Sequence, residues 1–344
     1  MAGEDALCAA PSLADKLAFL KQAGHYPEPT HRVEAVETHM SWVFLTEAFA
    51  YKLKKPVRYD YLDFSTLEAR RLDCEAELRL NRRLAEAVYL AVVPLLQAAD
   101  GSLSLHGEGQ PAEWLVKMRR LPAERMLDTL IRQRAVTEDS IRSLARTLTV
   151  FYAGSAPEPI SADAYRQRLT EKITECLREL SRPEFSPPTD RLARIAEAQS
   201  AFLQQHAAQF DERVAQRRIV EGHGDLRPEH VCLLSEPVVV DCLEFKRDFR
   251  VLDPLDELGY LALECERLGM PEIGPWLLAG YQEASGDRWP APLLHFYQSY
   301  RASLRAELSI WHLLDDGRHP PQKWIRTTHE YLELAERHIE QARF

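Results

Sequence analysis

One stretch of the chain, residues 220–245, contains two aspartates at a spacing that could do chemistry on phosphate groups. Asp225 follows His223 in the run H-G-D-L, and Asp241 ends a short β-branched run further along. Two such runs around the turn Ser235-Glu236-Pro237 are typical of a β-hairpin, which predicts that both carboxylates converge on one site. One carboxylate beside a hydroxyl could accept its proton, and the second could hold the Mg²⁺ that bridges nucleotide phosphates.

The same spacing matches the kinase pattern H-x-D-L-x-x-x-N, followed after a hairpin by a metal-binding Asp. With its wording H-G-D-L, the stretch resembles the aminoglycoside phosphotransferase-like branch of the protein-kinase-like superfamily. It is most similar to a bacterial subgroup labelled gluconate-kinase-like or simply phosphotransferase enzyme family. The resemblance implies that Asp225 is the catalytic residue, that His223 occupies the preceding His position, and that Asp241 binds the metal.

One position departs from that pattern. Five residues after Asp225 the family usually has an Asn whose amide oxygen helps to hold Mg²⁺, and this chain has His230. Mg²⁺ favours oxygen ligands, whereas imidazole suits Zn²⁺, Mn²⁺ or Ni²⁺ better. Four interpretations stay open: His230 binds a softer metal such as Mn²⁺, the neighbouring Glu229 substitutes, one metal is enough, or catalysis is lost.

Three runs between residues 33 and 57 alternate as strands do and predict an antiparallel meander. In the fold that the resemblance implies, the first turn of this meander covers the nucleotide phosphates. The turn has no glycine, so the hydroxyls of Thr38 and Ser41 are the candidates for phosphate contact. A plain hairpin turn is the alternative.

The third of these runs, F-A-Y-K-L-K, places Lys52 and Lys54 on one face of a strand, because side chains alternate with a period of two. Lys52 fits the kinase strand whose Lys pairs the α- and β-phosphates, and Lys54 is the alternative. This lysine needs a carboxylate partner on the next helix. The amphipathic segment that begins at Thr66 offers Glu77, with Glu75 as the alternative.

The chain predicts an α+β, two-lobed protein-kinase-like fold. Residues 1–120 form a small N-lobe with a five-stranded antiparallel sheet and one helix, which binds the nucleotide phosphates. Residues 121–344 form a larger, mainly helical C-lobe that carries the catalytic hairpin, the metal site and the acceptor pocket. In the connector between the lobes, Val116 and Met118 would present backbone groups and an apolar wall to an adenine.

Several charged residues outside the hairpin belong to the same prediction. The run D-P-L-D-E-L resembles a family segment in which the second Asp braces the catalytic loop, which points to Asp256, while Asp253 can cap the helix. Glu244 either takes part in metal or substrate binding or is solvated. Arg301 and Arg305, one helical turn apart, either clamp an acidic substrate or brace Asp256.

Composition and charge argue against several other classes of protein. The chain has 344 residues and a formal net charge of −10, which argues against a nucleic-acid partner or an anionic membrane surface. The start, MAGEDALCAA, has no basic region of a secretory signal, and the longest apolar run, residues 87–96, is too short to span a bilayer. Six cysteines without a C-x-x-C pair predict reduced thiols in a cytoplasmic protein.

These observations predict an ATP-dependent enzyme that phosphorylates a hydroxyl of a small-molecule acceptor, with Mg²⁺ as the metal and Mn²⁺ as the alternative. Sugars, sugar acids and aminoglycoside-like compounds are equally open as acceptors. The alternatives are a weak or inactive nucleotide-binding regulator, because of His230, and a bacterial protein kinase. A P-loop kinase is excluded because no G-x-x-x-x-G-K-[ST] occurs.

Overall fold

The computed structural model divides the chain into two compact units. One unit combines Val239–Arg247 with the described part of Met1–Ala123, and the other combines Glu124–Val238 with the described part of Asp248–Phe344. The residues that the structure describes are 10–59, 62–185, 188–314 and 320–343. The boundary at residue 120 between a lobe that binds the nucleotide phosphates and a lobe that carries the catalytic hairpin stays a prediction.

The first unit is built from short and medium strands together with two helices. The strands are β1 (Glu34–Glu37), β2 (Ser41–Leu45), β3 (Phe49–Lys54), β4 (Arg58–Tyr59), β5 (Leu62–Asp63), β6 (Tyr89–Gln97), β7 (Leu103–Ser104) and β8 (Gln110–Arg119). The helices are α1 (Leu13–Leu20) and α2 (Leu67–Ala85). Strands β4 and β5 pair only with each other, and the other six form one antiparallel sheet in the order β1-β2-β3-β8-β6-β7.

The mixed fold with an N-terminal antiparallel sheet is confirmed, but the sheet of the described residues has six strands rather than the five predicted. The additional strand, β7, is only two residues long and pairs with the end of β6. Two residues cannot display the alternation by which a strand is recognised in sequence. The Gly-rich run that follows it also suggested a turn.

Both helices of the first unit begin at side chains that cap them. The hydroxyl of Ser12 accepts a hydrogen bond from the N–H of Asp15, and the hydroxyl of Thr66 accepts one from Ala69. Together with Leu20 of α1, the sheet contributes a core of large side chains: Phe44, Tyr51, Leu53, Leu95 and Leu115.

A buried ion cluster joins both helices to the sheet. The carboxylate of Glu113, on β8, accepts hydrogen bonds from Arg70 of α2 at 2.8 and 2.9 Å and from Lys16 of α1 at 2.8 Å. All three residues are buried. The cluster therefore fixes the position of α2 over the sheet.

The second unit is mainly helical. Its helices are α3 (Leu127–Arg132), α4 (Glu138–Ala153), α5 (Ala162–Leu180), α6 (Thr189–Gln205), α7 (Ala207–Ala215), α8 (Pro254–Arg267), α9 (Ile273–Ser285), α10 (Ala291–Trp311) and α11 (Pro321–Gln341). Helix α10 packs against α8 and α11, and α4 packs against α9. Helix α8 is buried from Pro254 to Cys265, which makes it the central element of this unit.

Short strands flank the stretch that carries the candidate catalytic residues. They are β9 (Val220–Glu221), β10 (Val231–Cys232), β11 (Val238–Val239) and β12 (Val251–Leu252). Strand β9 pairs with β12, and the predicted hairpin is present as β10 and β11. Within the described residues, no helix has the length and apolar character needed to cross a lipid bilayer.

A buried ion triad anchors the second unit near the start of α8. The guanidinium of Arg213 donates two hydrogen bonds of 2.7 Å to Asp253 and two, of 2.6 and 2.8 Å, to Asp287. All three side chains are at most 3% exposed. Removal of the arginine would leave Asp253 buried without its cation, and Asp287 with only the longer contact of 3.6 Å to Nε of Arg218.

We expect Arg213→Met to destabilise the protein by about 3–5 kcal/mol, because breaking a buried ion pair from one side leaves uncompensated charge. Urea unfolding followed by circular dichroism measures the change. The control is Arg132→Met, which removes an exposed i,i+4 pair with Asp128 and should cost less than about 1 kcal/mol. Equal effects of the two substitutions would contradict the prediction.

Candidate active site

Lys52, on β3, reaches two carboxylates with one ammonium group. Its Nζ lies 2.9 Å from Oε1 of Glu77 on α2 and 2.7 Å from Oδ1 of Asp241. The side chain of Glu77 is fully buried, whereas that of Asp241 is 47% exposed. A strand, a helix and the segment that carries Asp241 therefore meet at one ammonium group, and the aspartate remains open to solvent.

Lys54 is on the same face of β3 and is surrounded by carboxylates. Its Nζ lies 2.7 Å from Oε2 of Glu77 and 2.6 Å from Oδ2 of Asp73, and it also contacts Glu244. Its side chain is 1% exposed. The two lysines thus share Glu77, one on each carboxylate oxygen, as the period-two spacing of the strand allows.

The two acids considered on α2 point in different directions. Glu77 is buried against the sheet, whereas Glu75 forms an exposed ion pair with Arg71 on its own helix. Residues two apart on a helix differ in direction by about 200°, so only one of them can face the strand lysines.

The segment that carries Asp241 is fixed by hydrogen bonds to the first unit. The N–H of Asp241 donates to the hydroxyl of Tyr89 at 3.1 Å, and the N–H of Cys242 donates to Oδ1 of Asn81 at 2.8 Å. Asn81 in turn donates to the carbonyl of Glu77 at 2.9 Å. Asp241 has a φ of 62°, a left-handed conformation that only a few residue types other than Gly adopt readily.

Both strand lysines stay charged despite their burial. Burial by itself lowers the pKa of a lysine, because it penalises the charged form. The carboxylates of Asp241, Glu77 and Glu244 nevertheless raise the pKa of Lys52 well above its ordinary value, and those of Glu244 and Glu77 do the same for the pKa of Lys54. Each lysine therefore presents a permanent positive charge.

The turn between β1 and β2 uses the hydroxyl of Thr38 within the turn. This hydroxyl donates to the carbonyl of Ser41 and accepts from its N–H, both at 3.0 Å. Ser41 is buried, and the ammonium of Lys55 lies 2.6 Å from the carbonyl of Thr38. Phosphate contact by Thr38 or Ser41 stays a prediction, and the hydroxyl of Thr38 would have to exchange a bond inside the turn to make it.

Val116 and Met118 lie inside β8 rather than in a loop after it. Val116 pairs with Lys52 on β3 and with Val92 on β6. A residue between two paired strands directs its backbone groups to its neighbours in the sheet. The contact of these two residues with an adenine stays a prediction.

In the second unit, the loop with the H-G-D sequence is held by one buried carboxylate. Glu257 accepts hydrogen bonds from the N–H of His223 at 3.0 Å, from the N–H of Gly224 at 2.6 Å and from the hydroxyl of Tyr152 at 2.7 Å. A Cβ at Gly222 would lie 2.7 Å from Oε2 of Glu257, and Gly224 has a φ of 90°. Both glycines are therefore needed for the loop to approach this carboxylate.

The prediction that Asp256 braces the loop is corrected by one residue. Asp256 forms a bidentate ion pair with Arg301, at 2.7 Å for both bonds, and the neighbouring Glu257 contacts the loop. Consecutive helix residues point about 100° apart, so only one of the two can face the loop. Asp253 caps α8 as predicted, because its Oδ1 accepts the N–H of Leu255 at 2.9 Å.

Asp225 follows this loop and has partners on both carboxylate oxygens. Tyr260 of α8 donates its hydroxyl to Oδ1 at 3.2 Å, and Nε of Arg227 lies 3.2 Å from Oδ2. The N–H of Asp225 donates to Nδ1 of the buried His223 at 3.3 Å. The carboxylate is fixed in direction, and 28% of its side chain stays exposed.

The charge around Asp225 keeps it ionised. Burial by itself raises the pKa of this carboxyl, but Arg227, His230 and Arg305 lower the pKa to about 2. A carboxylate of this kind is a weak base before the reaction. Its chemistry is to orient a hydroxyl and to accept the proton as the hydroxyl oxygen becomes bonded.

His230 contacts the backbone of the same aspartate. Its Nδ1 lies 2.8 Å from the carbonyl oxygen of Asp225, and a carbonyl can only accept, so Nδ1 carries the proton. Its Nε2 lies 3.4 Å from Nη2 of Arg227. The imidazole therefore links the candidate catalytic residue to the arginine next to it.

Phosphoryl transfer implies Mg²⁺, and Asp241 fits this ion. Mg²⁺ is commonly held by one or two carboxylates together with phosphate oxygens and water, and Asp241 offers a half-exposed carboxylate. In the part of the chain that the structure describes, no three His, Cys, Asp or Glu side chains are grouped to hold a metal. His230 fits less well, because one of its nitrogens is engaged and the other faces a guanidinium. Metal binding by Asp241 and His230 stays a prediction.

Sequence reasoning missed three residues around the loop. Glu257 could have been found, because it stands four residues after Asp253, where the family segment D-P-x-x-D places its second acid. Arg227 is adjacent to the motif, but its direction toward Asp225 depends on the loop. Tyr260 gives no local signal, since its contact with Asp225 arises from the packing of α8.

Comparison with known proteins agrees with this geometry. A family profile described as "Phosphotransferase enzyme family" (APH) matches residues 62–298, more than half of the chain. Proteins of Mycobacterium tuberculosis and Mycobacterium bovis, named only as uncharacterized, are 33% identical over 282 residues, which cover 80% of this chain and 54% of theirs. The chain thus spans about half the length of the curated relatives it matches.

Solved structures share the fold. A choline/ethanolamine kinase family protein from Mesorhizobium loti superposes with a TM-score of 0.57 at 16% identity, covering 95% of this chain and 98% of that chain. An AMP-bound spectinomycin phosphotransferase superposes with a TM-score of 0.54 at 13% identity, covering 93% of this chain and 98% of that chain. At such identities the likeness concerns the fold alone.

The family resemblance and the kinase-like fold expected from the sequence are therefore confirmed. The profile match extends from β5 in the first unit to α10 in the second, and so includes both candidate aspartates. The chain belongs to the phosphotransferase enzyme family.

Proposed function

We propose that this chain transfers the γ-phosphoryl group of ATP to a hydroxyl group of a small-molecule acceptor. The observation that carries the proposal is the contact of Lys52 with both Glu77 and Asp241, each within 3 Å. Kinases of this type need a lysine held by a helix glutamate and an aspartate available to a metal ion. Asp225, ionised and partly exposed, supplies the third requirement.

The proposed roles follow from the chemistry of each group. Lys52 binds the α- and β-phosphates, and Asp241 holds Mg²⁺, whose charge offsets that of the phosphate oxygens. Asp225 orients the acceptor hydroxyl and accepts its proton, on a loop that Glu257 and His223 keep in position. Catalysis then consists of positioning and charge neutralisation, with no covalent intermediate on the protein.

The acceptor belongs to the sugars, sugar acids or aminoglycoside-like compounds, and the enzyme acts in the cytoplasm. The second part is supported by Cys74, Cys176, Cys232, Cys242 and Cys265, which are all free and buried.

A nucleotide-binding regulator without turnover is the second candidate. The observation in its favour is His230, which replaces the usual Asn and faces Arg227 with Nε2. A thermal-shift titration with ATP and Mg²⁺ or Mn²⁺, followed by assays with sugar and aminoglycoside acceptors, separates the two. Binding with turnover supports the enzyme, and binding without turnover supports the regulator.

We expect Asp225→Asn to lower turnover by about 100-fold to 10,000-fold, because the hydroxyl loses its proton acceptor. The affinity for ATP should change by no more than a few-fold, since Asp225 does not contact the nucleotide in this proposal. Steady-state kinetics and calorimetric ATP titration measure the two effects. Asp128→Asn, at an exposed ion pair, is the control. A large loss of ATP affinity in Asp225→Asn would instead indicate a folding or metal role.

The two strand lysines should respond differently to the same substitution. Lys52→Met should weaken ATP binding while the protein stays folded, because Glu77 keeps Lys54 and Asp241 is half exposed. Lys54→Met should destabilise the fold by about 3–5 kcal/mol, because it removes the buried cation that Asp73, Glu77 and Glu244 share and leaves only Lys52 beside Glu77. ATP titration and urea unfolding of both variants test this, and the reverse assignment would make Lys54 the phosphate-binding lysine.

If His230 binds the metal, the wild-type enzyme should prefer Mn²⁺ over Mg²⁺ more strongly than His230→Asn does, since imidazole suits Mn²⁺ better and an amide oxygen suits Mg²⁺. Turnover measured with each metal over a concentration series gives the ratio. Glu229→Gln, measured in the same way, tests the alternative that the neighbouring Glu229 supplies the ligand. The same metal preference in wild type and His230→Asn would leave His230 with the role of holding Asp225.

A further inference from the structure

Two neutral side chains bind the backbone at Asp241. The hydroxyl of Tyr89, the first residue of β6, accepts the N–H of Asp241 at 3.1 Å. Oδ1 of Asn81, on α2, accepts the N–H of the next residue, Cys242, at 2.8 Å. Tyr89 and Asn81 are each 1% exposed. Two consecutive N–H groups are therefore held by buried residues from two different elements of the first unit.

Asn81 is itself fixed in direction. Its Nδ2 donates to the carbonyl of Glu77, one turn earlier on α2, at 2.9 Å. Because a carbonyl only accepts and a backbone N–H only donates, these two partners determine which end of the amide is the oxygen. The asparagine thus presents its Oδ1 to the N–H of Cys242.

The side chain of Asp241 is referred to the same helix. Its Oδ1 lies 2.7 Å from Nζ of Lys52, and this ammonium lies 2.9 Å from Oε1 of Glu77. Glu77 and Asn81 are four residues apart and so lie on one face of α2. One face of this helix therefore positions both the carboxylate of Asp241, through Lys52, and the backbone that follows it, through Asn81.

The backbone of Asp241 has a conformation that needs support. Its φ of 62° lies in the left-handed region, which is unfavourable for residues that have a Cβ. Such conformations persist where surrounding contacts determine them, and they are frequent at functional sites. Rotation to a commoner φ would change the direction of the carboxylate, because both depend on the same Cα.

We propose that Asn81 and Tyr89 are positioning residues that set the direction of the carboxylate of Asp241, the candidate metal ligand. They do so by holding the N–H groups of Asp241 and Cys242, and neither contacts the nucleotide or the acceptor. The inference rests on the proposed function, because it concerns the metal ligand of that same site.

The first experiment measures how much the metal contributes to nucleotide binding. The β,γ-imido analogue of ATP is titrated by calorimetry in EDTA and in saturating Mg²⁺, and the ratio of the two Kd values gives the contribution of the metal. We expect this ratio to fall about 10-fold in Tyr89→Phe and in Asn81→Ala, the lower end of the effect of residues that orient a metal ligand. The Kd in EDTA should stay at the wild-type value, because Lys52 keeps Glu77.

Tyr26→Phe is the matched control. Tyr26 is a buried tyrosine of the same unit, and its hydroxyl donates to the carbonyl of Leu20, at the end of α1. Its substitution should leave the ratio unchanged. A merely structural role of Tyr89 and Asn81 would lower their stability in urea unfolding without changing the ratio, and that result would overturn the inference.

A double-mutant cycle tests whether the two residues act through Asp241. Asp241→Ala removes the carboxylate, so adding Tyr89→Phe or Asn81→Ala to it should change the ratio no further. A further fall of the same size in the double variants would mean that the two residues act on the metal by another route, and the inference would fail.

Hydrogen–deuterium exchange without nucleotide separates the inference from the proposed function. The amide of Asp241 in Tyr89→Phe, and that of Cys242 in Asn81→Ala, should exchange about 10-fold faster than in wild type or Tyr26→Phe, because each loses its acceptor. A wild type that does not bind the nucleotide would reject the proposed function, and faster exchange would then still support the positioning of Asp241. Unchanged exchange in both variants would overturn the inference, whether or not the wild type transfers phosphate.

Discussion

One buried carboxylate, that of Glu77, determines the geometry of the first unit's site. A buried carboxylate costs several kcal/mol unless cations and hydrogen bonds compensate it, and Glu77 has a lysine on each oxygen. Because each lysine also reaches a residue of the segment 239–247, the charge of Glu77 connects α2 and β3 to that segment. Lys52 carries the connection to Asp241, and Lys54 carries it to Glu244. A shift of Glu77 along its helix would therefore move the lysine and the aspartate together.

In the second unit, neutral hydrogen-bond donors compensate a buried carboxylate. Glu257 is also fully buried, but two backbone N–H groups and the hydroxyl of Tyr152 satisfy it, and no cation contacts it among the described residues. The arginine near this loop contacts Asp225 and not Glu257. The guanidinium of Arg227 instead places its Nε 3.2 Å from the carboxylate of Asp225, the candidate catalytic residue. Structural support and charge are thus supplied by different residues, whereas in the first unit the same lysines supply both.

Most of the correct structural predictions came from local sequence patterns. The period of two placed Lys52 and Lys54 on one face, and the hairpin signal was correct, because both depend on residues close in sequence. Glu77 was expected from the family resemblance, and its role in the site stays a prediction. The prediction of Asp256 missed Glu257 by one position, since about 100° of helix rotation decides which acid faces the loop. The partners of Asp225 could not be predicted. Tyr260 reaches it only through the packing of α8, which leaves no mark on the motif itself.

His230, which stands where the family usually has an Asn, contacts Arg227 as well as Asp225. With its Nδ1 proton directed at the carbonyl of Asp225, His230 turns Nε2 toward the guanidinium of Arg227. In its neutral form the imidazole can accept a hydrogen bond from the arginine and so help to hold it toward the carboxylate, and in its protonated form it adds positive charge beside Asp225. An asparagine amide could donate to the same carbonyl, but it has a different reach and angle toward the guanidinium. The histidine therefore joins the backbone of Asp225 to the arginine beside its side chain, and the field at this candidate catalytic carboxylate is set in part by the same eight residues that carry the motif.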